Sequence, residues 1–207
     1  VPFDSVFVII RESKLGLFST GGRWVLPLQL EWDANRNQEL SIINGLLPMW
    51  GKGKMGLMNL QGKWVLAPEF AGVKNATDGL CPVRKKLKWG VVDLNQKMIV
   101  KYQFDNMTSF QYGLARVKNK RSGWGCISIQ GSLVVPLEWD EINLFPPFGY
   151  APVKQGKKGL MNAEGRILLA PEWDELQLQP NGFIKGMKSG KMHWLAPPNW
   201  NVVFAEP

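Results

Sequence analysis

The chain is poor in the side chains on which most chemistry runs. His193 is the single histidine among 207 residues, so zinc hydrolysis and nucleophilic triads, which lean on imidazole, have almost nothing to work with. The two cysteines, Cys81 and Cys126, fit no CxxC metal or redox spacing and read as small core residues. A disulfide between them is left open, because only geometry decides it. No apolar run approaches the length of a membrane-spanning helix, and the first five residues lack the basic-then-apolar layout of a signal peptide. Numbering starts at Val1 and not at Met, which leaves room for a leader removed upstream. No Walker loop or GxSxG occurs, so the usual P-loop and hydrolase readings fall away. Neither a cofactor nor catalysis is expected.

What is present is 45% hydrophobic content with ten Trp and ten Phe, enough for a real core. The 22 Gly and 14 Pro recur at turn-like intervals along the whole chain, which predicts many short strands.

Self-comparison then sets the architecture. Lys14-Leu15-Gly16-Leu17-Phe18 returns as Lys54-Met55-Gly56-Leu57-Met58, Lys88-Trp89-Gly90-Val91-Val92, Gly123-Trp124-Gly125-Cys126-Ile127 and Lys157-Lys158-Gly159-Leu160-Met161. A worn sixth copy, Lys191-Met192-His193-Trp194-Leu195, puts His193 in the place of the key glycine. Successive steps are 40, 34, 35, 34 and 34 residues, and the long first step is explained by a polar insertion at Asn35 to Glu39.

Three residues after each key glycine stands Ser19, Asn59, Asp93, Ser128 or Asn162, and three further on Gly22, Gly62, Gln96, Gly131 or Gly165. A short polar side chain followed by a left-handed position is turn chemistry. An apolar stretch follows, and Pro27, Pro68, Pro136 and Pro171 are expected to close four of the five, since proline brings no amide donor. Trp32, Phe70, Phe104, Trp139 and Trp173 come next, each expected to fold onto the core between repeats. One more strand, as in Gly79-Leu80-Cys81-Pro82-Val83, leads through a basic turn into the next unit.

Each unit is therefore about three strands in about 34 residues, too small to bury its own apolar face, so it must stack on neighbours. The prediction is an all-β array of six short antiparallel hairpin repeats over residues 1–207, with units around Gly16, Gly56, Gly90, Gly125 and Gly159. Val6 to Ile10 is the initiating strand and the unit around His193 a terminal cap. An open, superhelical or solenoid-like stack is favoured over a closed β-propeller, because a usual four-stranded blade consumes more residues.

These residues resemble the WG-repeat (KWG-repeat) family of bacterial proteins, whose pattern is a Gly-Leu-Ala-x-Val strand, a basic turn, Lys-Trp-Gly, a turn, an apolar strand, a proline and an aromatic with an acid. The likeness runs from Val6 to Val203. Trp-Gly itself survives at Trp89-Gly90 and Trp124-Gly125, while Leu15, Met55, Lys158 and Met192 replace the Trp elsewhere. The resemblance implies a binding role without catalytic residues, in bacterial cytoplasm or periplasm, and its bacterial context would admit a toxin-neutralising immunity protein.

Net charge is +8, and 17 of the 25 Lys and Arg lie in the turn before a key glycine. Ten of the 17 acids instead follow the proline, among them Glu69, Asp105, Glu138, Asp140, Glu172 and Asp174. With equivalent positions aligned by stacking, a basic edge and a separate acidic one are expected. The candidate binding residues are Lys52, Lys54, Arg84, Lys85, Lys86, Lys88, Lys118, Lys120, Arg121, Lys154, Lys157 and Lys158, which would dock an acidic protein. The plainer account is that lysine-rich tips keep a β-rich array soluble. Nucleic acid is disfavoured, because the aromatics recur at core positions and not beside the lysines. A cell-envelope glycan or peptidoglycan is the alternative ligand, and Trp50, Trp194 and Trp200, outside the strict pattern, are its candidate contacts. Asp140-Glu141 and Asp174-Glu175 resemble a glycosidase pair, but being stamped into successive units they read better as loop capping.

Overall fold

The computed structural model describes residues 6–31, 41–145, 149–162, 164–197 and 201–205. Among them are six small antiparallel sheets of three or four strands, none closed into a barrel. The chain divides into two compact units. The first, Val1–Phe110, contains three triplets of strands: Val6–Arg11, Lys14–Ser19 and Trp24–Glu31; Leu46–Gly51, Lys54–Asn59 and Trp64–Phe70; Leu80–Lys85, Lys88–Asp93 and Met98–Phe104. The second, Gln111–Pro207, contains Leu114–Asn119, Gly123–Ser128 and Leu133–Trp139; Gly149–Lys154, Lys157–Met161 and Ile167–Trp173; Ile184–Lys188, Lys191–Ala196 and Asn201–Ala205. Short strands Gly72–Val73, Asn106–Met107, Glu141–Phe145 and Glu175–Leu178 precede the last four triplets. The repeat analysis did not anticipate them. The insertion at Asn35 to Glu39 lies outside the described residues.

In each triplet the strand that carries the key glycine is central and the third strand lies at the edge. Met55 faces Phe70 and Leu57 faces Leu66, so three residues of the third strand cross over Gly56 alone. The same offset recurs at Gly16, Gly90, Gly125 and Gly159. This bulge is why the glycine is needed. A Cβ would stand 2.5 Å from the Leu66 carbonyl oxygen at Gly56, and equally close to the Val100 oxygen at Gly90 and the Val135 oxygen at Gly125. In the last unit Trp194 faces Phe204 and Leu195 faces Val202, a smaller offset that leaves room for the side chain of His193. That ring packs edge-on against Trp173, with centroids 5.5 Å apart.

The prolines are a correction. Pro27, Pro68, Pro136 and Pro171 do not end their strands but lie inside them. A bulge in an edge strand has already interrupted the ladder, so the missing amide costs little there.

The turns are as expected. Asn59 Oδ1 accepts from the backbone N–H groups of Gln61 and Lys63 at 3.1 and 2.9 Å, and Asp93 Oδ1 from those of Asn95 and Lys97 at 2.9 and 2.8 Å. Gly22, Gly62, Gln96, Gly131 and Gly165 take positive φ.

Within each compact unit the core lies between consecutive sheets. Leu57, Leu66 and Phe70 of one triplet pack with Cys81, Val83 and Val92 of the next. Leu160 and Trp173 pack likewise with Ile184 and Leu195. The aromatics Phe70, Phe104, Trp139 and Trp173 are all buried, as predicted, and Trp32 lies outside the described residues. Polar rungs repeat at the same period: Asn75 Nδ2 donates to Ser41 Oγ at 2.6 Å and Ser109 Oγ to the Asn75 carbonyl at 3.0 Å.

Candidate interaction surface

The basic residues stand on the two strands and the tip of one hairpin per unit. The tips at Lys52, Lys86 and Gln155 are two-residue turns between strands in register, entered in the left-handed region, and the tip at Lys120 to Ser122 has three residues. The expected separation of charge does not occur, because basic and acidic positions meet. Lys85 lies 4.0 Å from Glu69, and Lys154 lies 3.7 Å from Glu138. Lys188 pairs with Glu172 in the same way.

Each of these lysines also lies over the aromatic that follows its acid: Phe70 at 5.9 Å, Trp139 at 5.4 Å and Trp173 at 5.7 Å. One ammonium thus joins a carboxylate and a ring face of the preceding sheet, a clamp repeated at equivalent positions. A second series runs from the central strand of a triplet to the segment that follows its third strand. Lys88 bonds Asp105 at 2.8 Å, and Lys157 pairs with Asp174. Lys158 reaches Glu175 at 3.9 Å. The hydrogen bond from Lys157, helped by the backbone N–H of Ser189 and by the lysine's charge, outweighs desolvation and holds the Asp174 carboxyl below its ordinary value. The paired acids therefore serve the array.

Other candidates are also engaged within the fold. Arg84 donates to the Ala71 carbonyl at 3.0 Å and packs over Trp89, and Lys118 lies over Trp124. The tryptophan of each Lys-Trp-Gly type motif thus supports the cation opposite it in the hairpin. Lys52, Lys54, Lys86 and Arg121 remain exposed and carry no ion pair among the described residues, and Lys120 is exposed beside Arg121. Between Lys86 and Lys88 projects Leu87, 79% exposed. Sequence reasoning passed over Leu87, although Gly53 and Gly156 hold the matching place in neighbouring tips and a leucine there is out of pattern.

The tryptophan candidates fare differently. Trp50 and Trp194 are half-buried in strands, and Trp200 lies outside the described residues. Trp24 and Trp64, which the pattern assigned to an ordinary apolar strand, are the more exposed. Their rings cover the key glycines Gly16 and Gly56. Both cysteines are free thiols, so no disulfide joins them. Burial pushes Cys81 up to about 12, and Cys126 to about 12 despite the nearby charge of Arg116. No group of three or more His, Cys, Asp or Glu among the described residues could hold a metal, and no helix there is long and apolar enough to cross a membrane.

Small bulged sheets, stacked one period apart and stapled by repeated lysine clamps, define a β-repeat protein. Three consecutive copies of the WG containing repeat match at residues 55–88, 89–120 and 124–158. The chain belongs to the WG-repeat family. No curated protein matches it. Among solved structures it is similar to Kluyveromyces lactis Hsv2, with a TM-score of 0.53 and 10% identity over 96% of this chain and 72% of that one. A second structure of K. lactis Hsv2, with its complete loop 6CD, gives 0.53 and 10% over 95% and 70%. At such identity the likeness is one of fold alone, and it is to propeller-like structures, the alternative weighed above.

Proposed function

We propose that this chain is a non-enzymatic protein-interaction module that docks an acidic partner along its hairpin tips. The observation that carries the reading is the tip at Lys86 and Leu87. There an exposed cation without an acidic partner among the described residues adjoins a leucine 79% exposed to water. A folded chain gains nothing from such a leucine. A partner segment mixing carboxylates with an apolar residue would cover it, the apolar contact supplying affinity and the lysines steering the encounter. Membership of a repeat family and a propeller-like fold support a binding role. In the bacterial setting of the family the partner would be a toxin, neutralised as by an immunity protein. For the alternative, a cell-envelope glycan, the described candidates Trp50 and Trp194 are half-buried.

The test begins with capture of the partner from native lysate. Titration then compares the parent with the triple variant Lys52→Glu, Lys86→Glu, Arg121→Glu and with Leu87→Ser. These positions avoid the clamps, so the fold is retained. Each variant is expected to weaken Kd about tenfold or more, and added salt to weaken parental binding. Binding by the triple variant as tight as the parent's refutes the reading.

A further inference from the structure

The acid that follows the buried aromatic belongs to the repeat. Asp33, Asp105, Asp140 and Asp174 stand directly after Trp32, Phe104, Trp139 and Trp173, whereas Phe70 is followed by Ala71. The backbone does not register the exception. The Ala71 N–H donates to the Arg84 carbonyl at 2.8 Å, as that of Asp140 does to Val153 at 3.0 Å and that of Asp174 to Met187 at 2.8 Å. The β-carbon of Ala71 therefore stands where the other units carry a carboxylate.

In those units the carboxylate has two tasks. Asp174 Oδ2 accepts from the backbone N–H of Ser189 at 3.0 Å, and Asp140 Oδ2 from that of Gln155 at 2.6 Å, each donor 15 positions further on. Both donors open a hairpin tip, with φ of 53° and 51°. The other oxygen of Asp174 takes the ammonium of Lys157, 17 positions before it, and Asp105 takes Lys88 at the same spacing. Counted from Ala71, the same two spacings fall on Lys86 and Lys54. Lys86 opens its tip with φ of 52°. Its N–H has no acceptor, and Lys54 no ion pair, among the described residues. Glu69, two positions before Ala71, is engaged by Lys85. Arg84, where the other units have Val153 and Met187, brings a further positive charge to the Ala71 carbonyl at 3.0 Å.

We infer that the place beside Ala71 binds a carboxylate supplied from outside: an aspartate or glutamate side chain of the acidic partner, seated between the Lys54 ammonium and the Lys86 backbone N–H as Asp174 is seated between Lys157 and Ser189. The inference rests on the docking reading above and gives it a defined seat. Two donors, one for each oxygen, suit a carboxylate, and both bonds are charge-assisted. Leu87 is next in the same tip and 79% exposed, so an apolar residue beside the seated acid has a surface to cover. Lys54, Ala71, Lys86 and Leu87 all belong to the first compact unit.

The test is to return the missing acid. Ala71→Asp supplies in cis the carboxylate that the partner would bring, and amide proton–nitrogen spectra of the 207-residue chain read the result. The probe is a capped Leu-Asp-Leu-Asp peptide, with Leu-Asn-Leu-Asn as its neutral twin. In the parent the acidic peptide is expected to move the Lys86 amide downfield and the twin to leave it in place. In Ala71→Asp that amide should start downfield, and the peptide Kd should rise about tenfold. Lys54→Gln should weaken the peptide in the parent and add little in Ala71→Asp, where the seat is already filled. Dispersed spectra verify folding, and the exposed Lys54 carries the test alone if Ala71→Asp fails to fold. Equal binding by Ala71→Asp and parent, equal binding of peptide and twin, or a full effect of Lys54→Gln on both backgrounds would overturn the inference. With the captured partner, an Ala71→Asp variant that binds like the parent while the Lys52, Lys86, Arg121 triple variant does not removes the seat and leaves the docking reading standing. A triple variant that binds like the parent removes both.

Discussion

Substituting Gly90 by alanine probes the bulge shared by the first five units. The residue has ordinary backbone angles, so the penalty is steric and not conformational. The added Cβ would lie 2.5 Å from the Val100 oxygen and 3.1 Å from the Lys101 carbonyl carbon and the Tyr102 nitrogen, whereas ordinary contact begins at 3.4 Å. All three atoms are backbone, so no rotamer relieves the clash and the Met98–Phe104 strand must lift by about 0.9 Å. Overpacking a tight site costs roughly 1–3 kcal/mol, and the upper end, about 3 kcal/mol, is expected where only backbone can yield. For a chain of this size that is a fall of about 6–12 °C in melting temperature. Gly53→Ala is the matched control. Nothing lies within 4 Å of its Cβ, but φ is +76°, so the cost is the left-handed conformation alone, about 1 kcal/mol or roughly 2–4 °C. Thermal unfolding followed by circular dichroism and tryptophan fluorescence reads both. The reasoning fails if Gly90→Ala melts within about 2 °C of the parent, or if Gly53→Ala is the more damaging of the two.

Two further outcomes follow from the titrating groups. Asp174 has a folded pKa below its unfolded value, so its contribution to stability is present above the unfolded value of about 3.9 and is lost as pH falls through the depressed one. The gap in urea midpoint between the parent and Asp174→Asn should therefore close on going from about pH 6 to about pH 2.5, and an unchanged gap contradicts the Lys157 assignment. Cys81 and Cys126, raised to about 12 by burial, hold roughly one thiolate in ten thousand at a pH of about 8. DTNB should label neither in the native protein and both in urea, and equal rates in the two states would refute their burial.

The period of the key glycine was enough to place the central strands, five by the glycine itself and the sixth by counting one step on to His193, because a residue whose Cβ would strike a carbonyl is kept wherever the bulge is kept. The burial of Phe70, Phe104, Trp139 and Trp173 was legible for a similar reason: a large aromatic repeated one period apart has only the inter-sheet space to fill. The prolines misled because the usual rule forbids them in a ladder, and nothing in a linear pattern reveals that the ladder is already bulged at Pro68 or Pro136. The charge map misled for another reason. Lys85 and Glu69 are 16 positions apart, a spacing without meaning along one strand, and they meet only because consecutive sheets are stacked. Leu87 went unnoticed because a leucine at a tip is visible as an anomaly only once the tip is known to face water.

The glycine and the carbonyl above it belong to one unit, whereas each Lys–Glu–aromatic clamp in this chain ties a unit to the one before it. Genetic events are filtered by that difference. A duplication or excision spanning whole periods, 34 or 35 codons here, hands every lysine a fresh carboxylate and ring at the join. One cut out of phase orphans both. Copy number in such a lineage can drift while phase cannot, and its members should differ in length by whole units more readily than by fractions of one.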